Sequence, residues 1–345
     1  MREPIVRSEA QLRERRRNIV VLSALGGLIV LVFLISMNTG YTRLSPFDVI
    51  RTLFGGGDAD ENLILFEFRL PRIVISVLVG MGLAVSGCVL QALSRNALAD
   101  PGIVGVNAGA GLMVLLFVAF YASPAAAPVY VLPVIAWFGA FVTATFVFLL
   151  SYRRHKGLSP TRLLLNGVAV TSGISAVTIV LTLRISPEQY QFVATWMAGS
   201  IWGKDWSFVL ALLPFLLVLL PYVWLKAQTI NVLNLGESMA RSLGARVTKE
   251  QVGLLAAAVG LAGTCVAVSG SIGFVGLLAP HLARRLIGPK HQVLIPASAF
   301  IGGLLVITAD TIGRSILQPS GVPAGIVVAV IGAPYFLYLM VKAKK

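Results

Sequence analysis

The nearest approach to a nucleotide-binding loop in this chain is Gly199–Lys204, GSIWGK, and it cannot serve as one. A phosphate loop needs a longer run between its glycines, so that backbone N–H groups wrap the phosphates, and a Ser or Thr after the lysine to hold Mg²⁺. This run is one residue short, and Asp205 follows the lysine. The histidines, His155, His281 and His291, show no H-E-x-x-H spacing for a metalloprotease. Cys88 and Cys265 fall in separate apolar runs, where neither a disulfide framework nor a metal site has support, so they read as small packing residues. The interiors of the apolar runs lack Asp, Glu, Lys and His, which removes the intramembrane charges that coupled carriers use. A membrane enzyme and a secondary carrier each lack the groups they would need. If a solute moves uphill here, the energy comes from another polypeptide.

One apolar run does carry polar groups in register. Gly167, Thr171, Ser175, Thr178 and Thr182 recur at steps of three or four, which places them on one face of a helix. Two readings stand. The hydroxyls bond back to their own backbone, or they line a wet pathway that is polar without charge to hold a solute.

The elements that would position these residues are membrane spans. The chain has 345 residues, 57% hydrophobic and 12% charged. Runs of about 20 apolar residues match a hydrocarbon core roughly 30 Å thick. Ten such runs are expected as helices: 19–37, 70–93, 103–122, 129–150, 161–183, 206–225, 250–270, 271–287, 292–312 and 322–341. Arg15, Arg16 and Arg17 precede the first, which is too long for a cleavable signal and has no small-residue cleavage site after it. It reads as an uncleaved helix.

With the N-terminus inside, 21 of the 28 Lys and Arg fall on the cytoplasmic side and 7 outside, among them Arg153, Arg154 and Lys156, then Arg284, Arg285 and Lys290, then Lys342, Lys344 and Lys345. The acidic residues divide 6 inside and 8 outside, so the bias belongs to Lys and Arg, as the positive-inside rule requires. The net charge of +14 is therefore a topology signal and not a nucleic-acid footprint. Ten spans put both termini in the cytoplasm.

The chain reads as one transmembrane domain, 1–345, with a cytoplasmic lead of 1–18 and a cytoplasmic segment at 226–249. Outside, SPFDVIRTLFGGG (45–57) reads as a short helix stopped by glycines, and QYQFVATWMAGSIWG (189–203) as an interfacial or re-entrant helix. Ser76, Gly80 and Ala84, and then Gly105 and Gly109, keep the small-xxx-small spacing that lets helix backbones approach closely in lipid.

LGESMARSLG (235–244) is the odd piece, a water-compatible helix between two apolar runs. Asn234 and Glu237 resemble a capping box, Gly244 a C-terminal stop, and Glu237 with Arg241 an i,i+4 pair. Met239 and Leu243 share an apolar face, with Ala240 and Gly244 beside them. So short a helix needs a surface to rest on. That surface is its own bundle, lipid headgroups, or a groove on a cytoplasmic partner.

This segment resembles the coupling helix of the FecCD-type permeases, the membrane subunits of ABC importers for iron-siderophores, haem and cobalamin. The resemblance runs over nearly the whole chain. It is most specific in RLPRIVISVLVGMGLAVSGCVLQALSRNALADPGIVGVNAGAG (69–111) and continues in order through RLLLNGVAV (162–170), WMAGSIWG (196–203), GSIGFVGLLAPHLARRLIG (270–288) and GVPAGIVVAVIGAPYFLYLM (321–340).

The resemblance implies an all-α, ten-span permease of the type II ABC importer architecture. It also implies a second permease subunit, two ATP-binding subunits and an extracytoplasmic substrate-binding protein. The chain itself would bind no cofactor, ATP and Mg²⁺ belonging to the partner ATPase. Leu235, Gly236, Glu237, Met239, Ala240, Arg241, Leu243 and Gly244 would dock in the ATPase cleft. Arg69 and Arg72 of RLPR, with Arg314 of ADTIGR, would meet carboxylates of the binding protein, a task that suits exposed guanidinium forks. The hydroxyl-striped span corresponds to the pathway-lining helix, and Pro160 and Thr161 to a cytoplasmic gate. Proline stands here where some members carry a hydroxyl, which leaves Thr161 the hydrogen-bonding role. LFEFRLPR and SRNALADPGI are most similar to the hydroxamate-siderophore branch; haem and cobalamin are the alternative cargoes.

Overall fold

The computed structural model describes residues 9–40, 45–121, 130–153, 157–317 and 321–343. Residues 1–8, Arg43, Arg154, His155, Lys156, Lys344 and Lys345, some of which entered the charge argument above, lie outside the described residues. The helices follow in the order α1 (Glu9–Asn38), α2 (Pro46–Leu53), α3 (Ala59–Asn62), α4 (Leu70–Ser94), α5 (Val106–Phe120), α6 (Val131–Ser151), α7 (Pro160–Thr182) and α8 (Pro187–Met197). They continue with α9 (Trp206–Leu225), α10 (Ala227–Asn234), α11 (Glu237–Ser242), α12 (Val247–Ser269), α13 (Val275–Ile287), α14 (His291–Ile316) and α15 (Ala324–Ala343). A π-helical turn, Leu63–Arg69, runs into α4, and a 3-10 turn, Pro101–Val104, precedes α5. The strands β1 (Tyr152–Arg153) and β2 (Gly157–Leu158) form a minimal antiparallel ladder, Tyr152 opposite Leu158.

Seven helical stretches among the described residues are long and apolar enough to cross a membrane, those containing α1, α4, α6, α7, α9, α12 and α14. The apolar helix α5 is shorter at 15 residues, α13 is shorter still at 13, and in α15 the apolar stretch Ala324–Tyr338 is likewise short. Each of the ten expected spans overlaps one of these helices, 271–287 only in part. The other helices, α2, α3, α8, α10 and α11, are short connectors.

The expected span 271–287 needs correcting. Gly270 ends α12 with φ +71°, and residues 270–274 are not helical, so α13 is a half-length helix that starts only at Val275. Glycine at 270 and 273 gives the stretch little helical tendency of its own.

The centre of the bundle is α4, buried almost without interruption from Ser76 to Ser94 and packed on α12, α13 and α14. Glycines allow the close approach. A Cβ on Gly80 would overlap the Gly302 carbonyl, and one on Gly302 would overlap the Gly80 carbonyl and the Ala84 methyl. Gly109 and Gly139 meet in the same reciprocal way between α5 and α6. The small-xxx-small spacings therefore mark packing seams. Lipid already surrounds both helices with apolar groups, so such seams are held by dispersion contacts between backbones rather than by escape from water. The periphery is the reverse. Phe138, Phe141, Phe146 and Leu149 of α6, and Leu210, Leu217 and Val218 of α9, are exposed. So large an uncovered apolar surface requires a bilayer around it.

The connector read at 45–57 forms the helix α2, whereas the one read at 189–203 is helical only as far as Met197, the end of α8, and both helices have defined caps. α2 starts on a capping box, Ser45 with Asp48, and α8 on another, Ser186 with Gln189.

Candidate functional site

At one end of the bundle three arginines converge. Arg69, the last residue of the π-helical turn, is 5% exposed, and its Nη1 donates to the Met37 carbonyl at 2.5 Å. Arg72, one turn on, holds the Asp310 carboxylate side-on, Nε at 2.9 Å and Nη2 at 2.7 Å. Arg314, one turn beyond Asp310 on α14, brings Nε to 3.2 Å of the same carboxylate. Its Nη1 donates to the Thr39 carbonyl at 3.2 Å, and its Nη2 to Ser36 Oγ. Thr311 Oγ1 donates to Ser36 Oγ at 3.0 Å.

The guanidinium groups thus cap the carbonyls that the end of α1 leaves without helical partners. This corrects the expectation of exposed forks. The side chains of Arg72, Arg314 and Asp310 are 14%, 9% and 1% exposed, so the cluster is largely sealed within the chain. Sequence reasoning overlooked Asp310. Its one local signal was the i,i+4 spacing to Arg314; the Arg72 pairing is long-range.

The hydroxyl face of α7 divides in the structure. Gly167 packs so closely on the Ile103 carbonyl that a Cβ would overlap it. Thr171 turns toward Gly105 and Thr143, and its buried Oγ1 has no hydrogen-bond partner among the described residues. Thr178 Oγ1 donates back to Ile174 O at 2.9 Å, and Thr182 Oγ1 to Ile179 O at 2.6 Å. Ser175 alone of the five is exposed, among Ser172, Gly173 and Ala176. The reason is rotational: α7 lies on the α5–α6 pair along the face that carries Gly167, so most of the stripe is spent on packing. Pro160 opens α7 at its first position, where a missing N–H costs nothing. Thr161 beside it is exposed.

At the opposite end of the bundle, the segment between α9 and α12 folds as two short helices. The capping box does not form. Asn234 is the last residue of α10, and α11 begins at Glu237 behind Gly236, whose φ of +111° offers no side chain to cap it. The Glu237–Arg241 pair is present at 3.3 Å, and Gln251 Nε2 reaches Glu237 at 3.4 Å. The far end closes as a Schellman motif. Gly244, at φ +83°, donates to Arg241 O at 2.9 Å, and Ala245 donates to Ala240 O at 2.9 Å.

Ala240 is fully buried against the bundle, while Leu235, Met239 and Leu243 are each more than half exposed. Ala240 therefore does not share the outward apolar face. α10 is moored to α14 by Asn231. Its Oδ1 meets the His291 backbone N–H at 3.1 Å and ring Nδ1 at 2.7 Å, and its Nδ2 donates to Gln292 Oε1 at 2.8 Å. Lys226 Nζ bonds Glu250 at 2.8 Å, which holds the ammonium pKa above its ordinary value. In the turn after α4, burial pushes the Asp100 carboxyl up to about 6 against the pull of the Gly102 N–H.

Nothing in these clusters brings a nucleophile, a base and an acceptor together. Long apolar helices, lipid-facing aromatics, a sealed ionic cluster at one end and an uncovered apolar knob at the other define a multi-pass membrane permease. The chain belongs to the FecCD transport family, whose model matches residues 28–342. It is 45% identical to the iron(3+)-hydroxamate import system permease protein FhuG of Bacillus subtilis (strain 168), over 94% of this chain and 97% of that protein. It is 38% identical to the hemin transport system permease protein HmuU of Yersinia pestis, over 92% of this chain and 94% of that one. A solved inward-facing metal-chelate type ABC transporter superposes with a TM-score of 0.82 at 31% identity, covering 93% of this chain and 99% of that one.

Proposed function

We propose that this chain is the permease subunit of an ABC importer that carries an iron(III)-siderophore of the hydroxamate type across the cytoplasmic membrane. The observation that carries the reading is the near-full-length similarity to a hydroxamate import permease at 45% identity. The chain would work with a second permease subunit, two ATP-binding subunits and an extracytoplasmic binding protein, with both its own termini in the cytoplasm. Haem is the second reading, favoured by the 38% identity to a hemin permease.

In this reading Leu235, Met239 and Leu243 are the knob that the ATPase cleft grips, and Ala240 anchors that knob to the bundle. Gly236 and Gly244 supply the turns on either side, and the Glu237–Arg241 pair stiffens the helix between them. Arg69, Arg72 and Arg314 form the platform for the binding protein. Arg72 and Arg314 share the single carboxylate of Asp310, so those three groups together carry one net positive charge to attract a docking carboxylate. Gly167, Thr171, Ser175, Thr178 and Thr182 belong to the pathway helix, Ser175 meeting the solute and the others setting that helix against α5 and α6. Thr161 and Pro160 stand at the cytoplasmic gate.

The test is radiolabelled uptake in cells with and without the gene, across ferric hydroxamates, ferric catecholates, haem and cobalamin. Loss of ferric hydroxamate uptake alone, restored by the gene, is the expected result. Loss of haem uptake alone would replace the cargo and leave the machinery.

A further inference from the structure

Both members of the central α4–α14 pair reach α10, the helix that leads into the cytoplasmic knob. On the α4 side the contact comes from Arg95. α4 closes with a Schellman motif, Asn96 N–H on Gln91 O at 3.2 Å and Arg95 N–H on Ala92 O at 3.3 Å. Arg95 takes the turning position at φ +50° and ψ +32°, a left-handed conformation that glycine fills without steric strain. Its guanidinium Nη2 crosses to the Leu233 carbonyl in the last turn of α10, at 3.3 Å. A cation is favourable at that end of a helix. The strained turn thus aims a side chain that glycine lacks.

On the α14 side the contact comes from Asn231. Lys290, at the N-cap of α14, makes no side-chain bond to the first turn. The cap arrives from α10 instead, where Asn231 Oδ1 accepts from the His291 N–H at 3.1 Å. His291 is 2% exposed, so Asn231 serves groups that solvent barely reaches, and such groups are costly to leave unpaired. Trp224 Nε1, near the end of α9, donates to the Gln292 carbonyl beside it at 3.0 Å.

Residues 231 and 233 of α10 are therefore held by one member of the pair each, just before the knob begins. The knob's own polar contact with α12, Gln251 to Glu237, is longer at 3.4 Å. At its far end the same pair carries the arginine platform, Arg72 on α4 with Asp310 and Arg314 on α14. Between the two ends, Gly80 and Gly302 leave no side chain that could yield. A stiff element that runs from one end of the bundle to the other is a physical route for coupling the two.

We propose that α10 is a lever, and that Arg95 and Asn231 are the positioning residues that fasten it to the α4–α14 pair, so that a push on the knob tilts the pair and moves the platform at its other end. In this scheme Arg95 and Asn231 touch neither cargo nor ATPase. The inference rests on the permease reading above, and its test separates the two.

Arg95→Gly is the decisive variant. Glycine relieves the left-handed turn, so a merely structural arginine would leave membrane abundance equal or higher and uptake unchanged. The lever requires abundance to hold while ferric trihydroxamate uptake per molecule falls roughly tenfold, within the range of allosteric couplings. Unchanged uptake would overturn it. Asn231→Ala should act in the same direction, and Asn231→Asp, which keeps the acceptor for His291, should retain most of the uptake. Uptake that fell only in step with abundance would strike Asn231 from the lever.

The transmitted motion can be read without cargo. Ile316 is exposed at the platform end of α14, whereas native Cys88 and Cys265 are buried. In proteoliposomes holding Ile316→Cys and the ATPase that co-purifies with it, Mg-ATP with vanadate should change the rate of reaction with a charged maleimide. Adding Arg95→Gly should abolish that change. The same change with and without Arg95, or no change in either, would overturn the lever. If no ATPase co-purified, the permease reading would fall and the lever with it. If wild-type cells took up a different chelate, only the cargo would be replaced and the maleimide result would still decide the lever.

Discussion

Arg72 and Asp310, 238 residues apart, meet through two guanidinium nitrogens at 2.7 and 2.9 Å, and that pair joins the head of α4 to the tail of α14. Arg314 leans on the same carboxylate from the next turn. A carboxylate buried between two guanidinium groups is costly to remove, because the cations then remain desolvated without a counter-charge.

Asp310→Ala should therefore destabilise the protein by roughly 3–5 kcal/mol, the range for breaking a buried pair from one side. Thermal unfolding in detergent reads it. Arg72→Met with Asp310→Leu should recover part of the loss, and a double variant no better than the sum of the singles would show that the two residues are not coupled.

The glycine seams make a matched pair of predictions. Gly80→Ala pushes a methyl into the Gly302 carbonyl, whereas Gly173→Ala on α7 meets nothing within 4 Å. The first should cost about 1–3 kcal/mol as overpacking. The second should be neutral or stabilising by up to about 1 kcal/mol, since alanine is the better helix former. Melting temperatures of the two variants side by side decide it.

Asp100 gives a pH dependence. Its folded pKa of about 6 lies above the ordinary 3.8, so the folded state holds the proton more tightly than the unfolded chain. The contribution is favourable below the ordinary carboxylate pKa and is lost as pH rises through about 6. Asp100→Asn should match the wild type in melting temperature at acidic pH and exceed it in mildly alkaline buffer. A difference that does not vary with pH would rule out this titration.

The cytoplasmic segment separates fold from function within a few residues. Met239→Ser with Leu243→Ser removes exposed apolar groups, so membrane abundance should hold while uptake falls at least tenfold. Ala240→Leu forces bulk into a buried site and should lower abundance itself. Uptake per molecule, from quantitative immunoblots, distinguishes them, and full uptake by the double serine variant would remove Met239 and Leu243 from the ATPase contact.

Much of the helical framework is legible in the sequence because lipid demands long apolar runs, and α2 and α8 are legible because their caps are local. What the sequence conceals is long-range. Nothing near Arg72 points to Asp310. The α7 stripe keeps its spacing, but which way α7 turns is set by Gly167 against Ile103, a contact between distant segments. Asn234 and Glu237 have the spacing of a capping box, yet Asn234 is claimed by the last turn of α10, which the tether of Asn231 to His291 holds in place. The non-helical stretch before α13 hides inside an apolar run because hydropathy does not register a change in backbone direction.

Where α4 and α14 touch at Gly80 and Gly302, main chain lies on main chain with no side chains between. Flexible side chains can change rotamer to let helices slip past one another; two bare backbones interlock like cogs. The pair is thus a keel, and whatever stroke the molecule makes must come from the planks fastened to it.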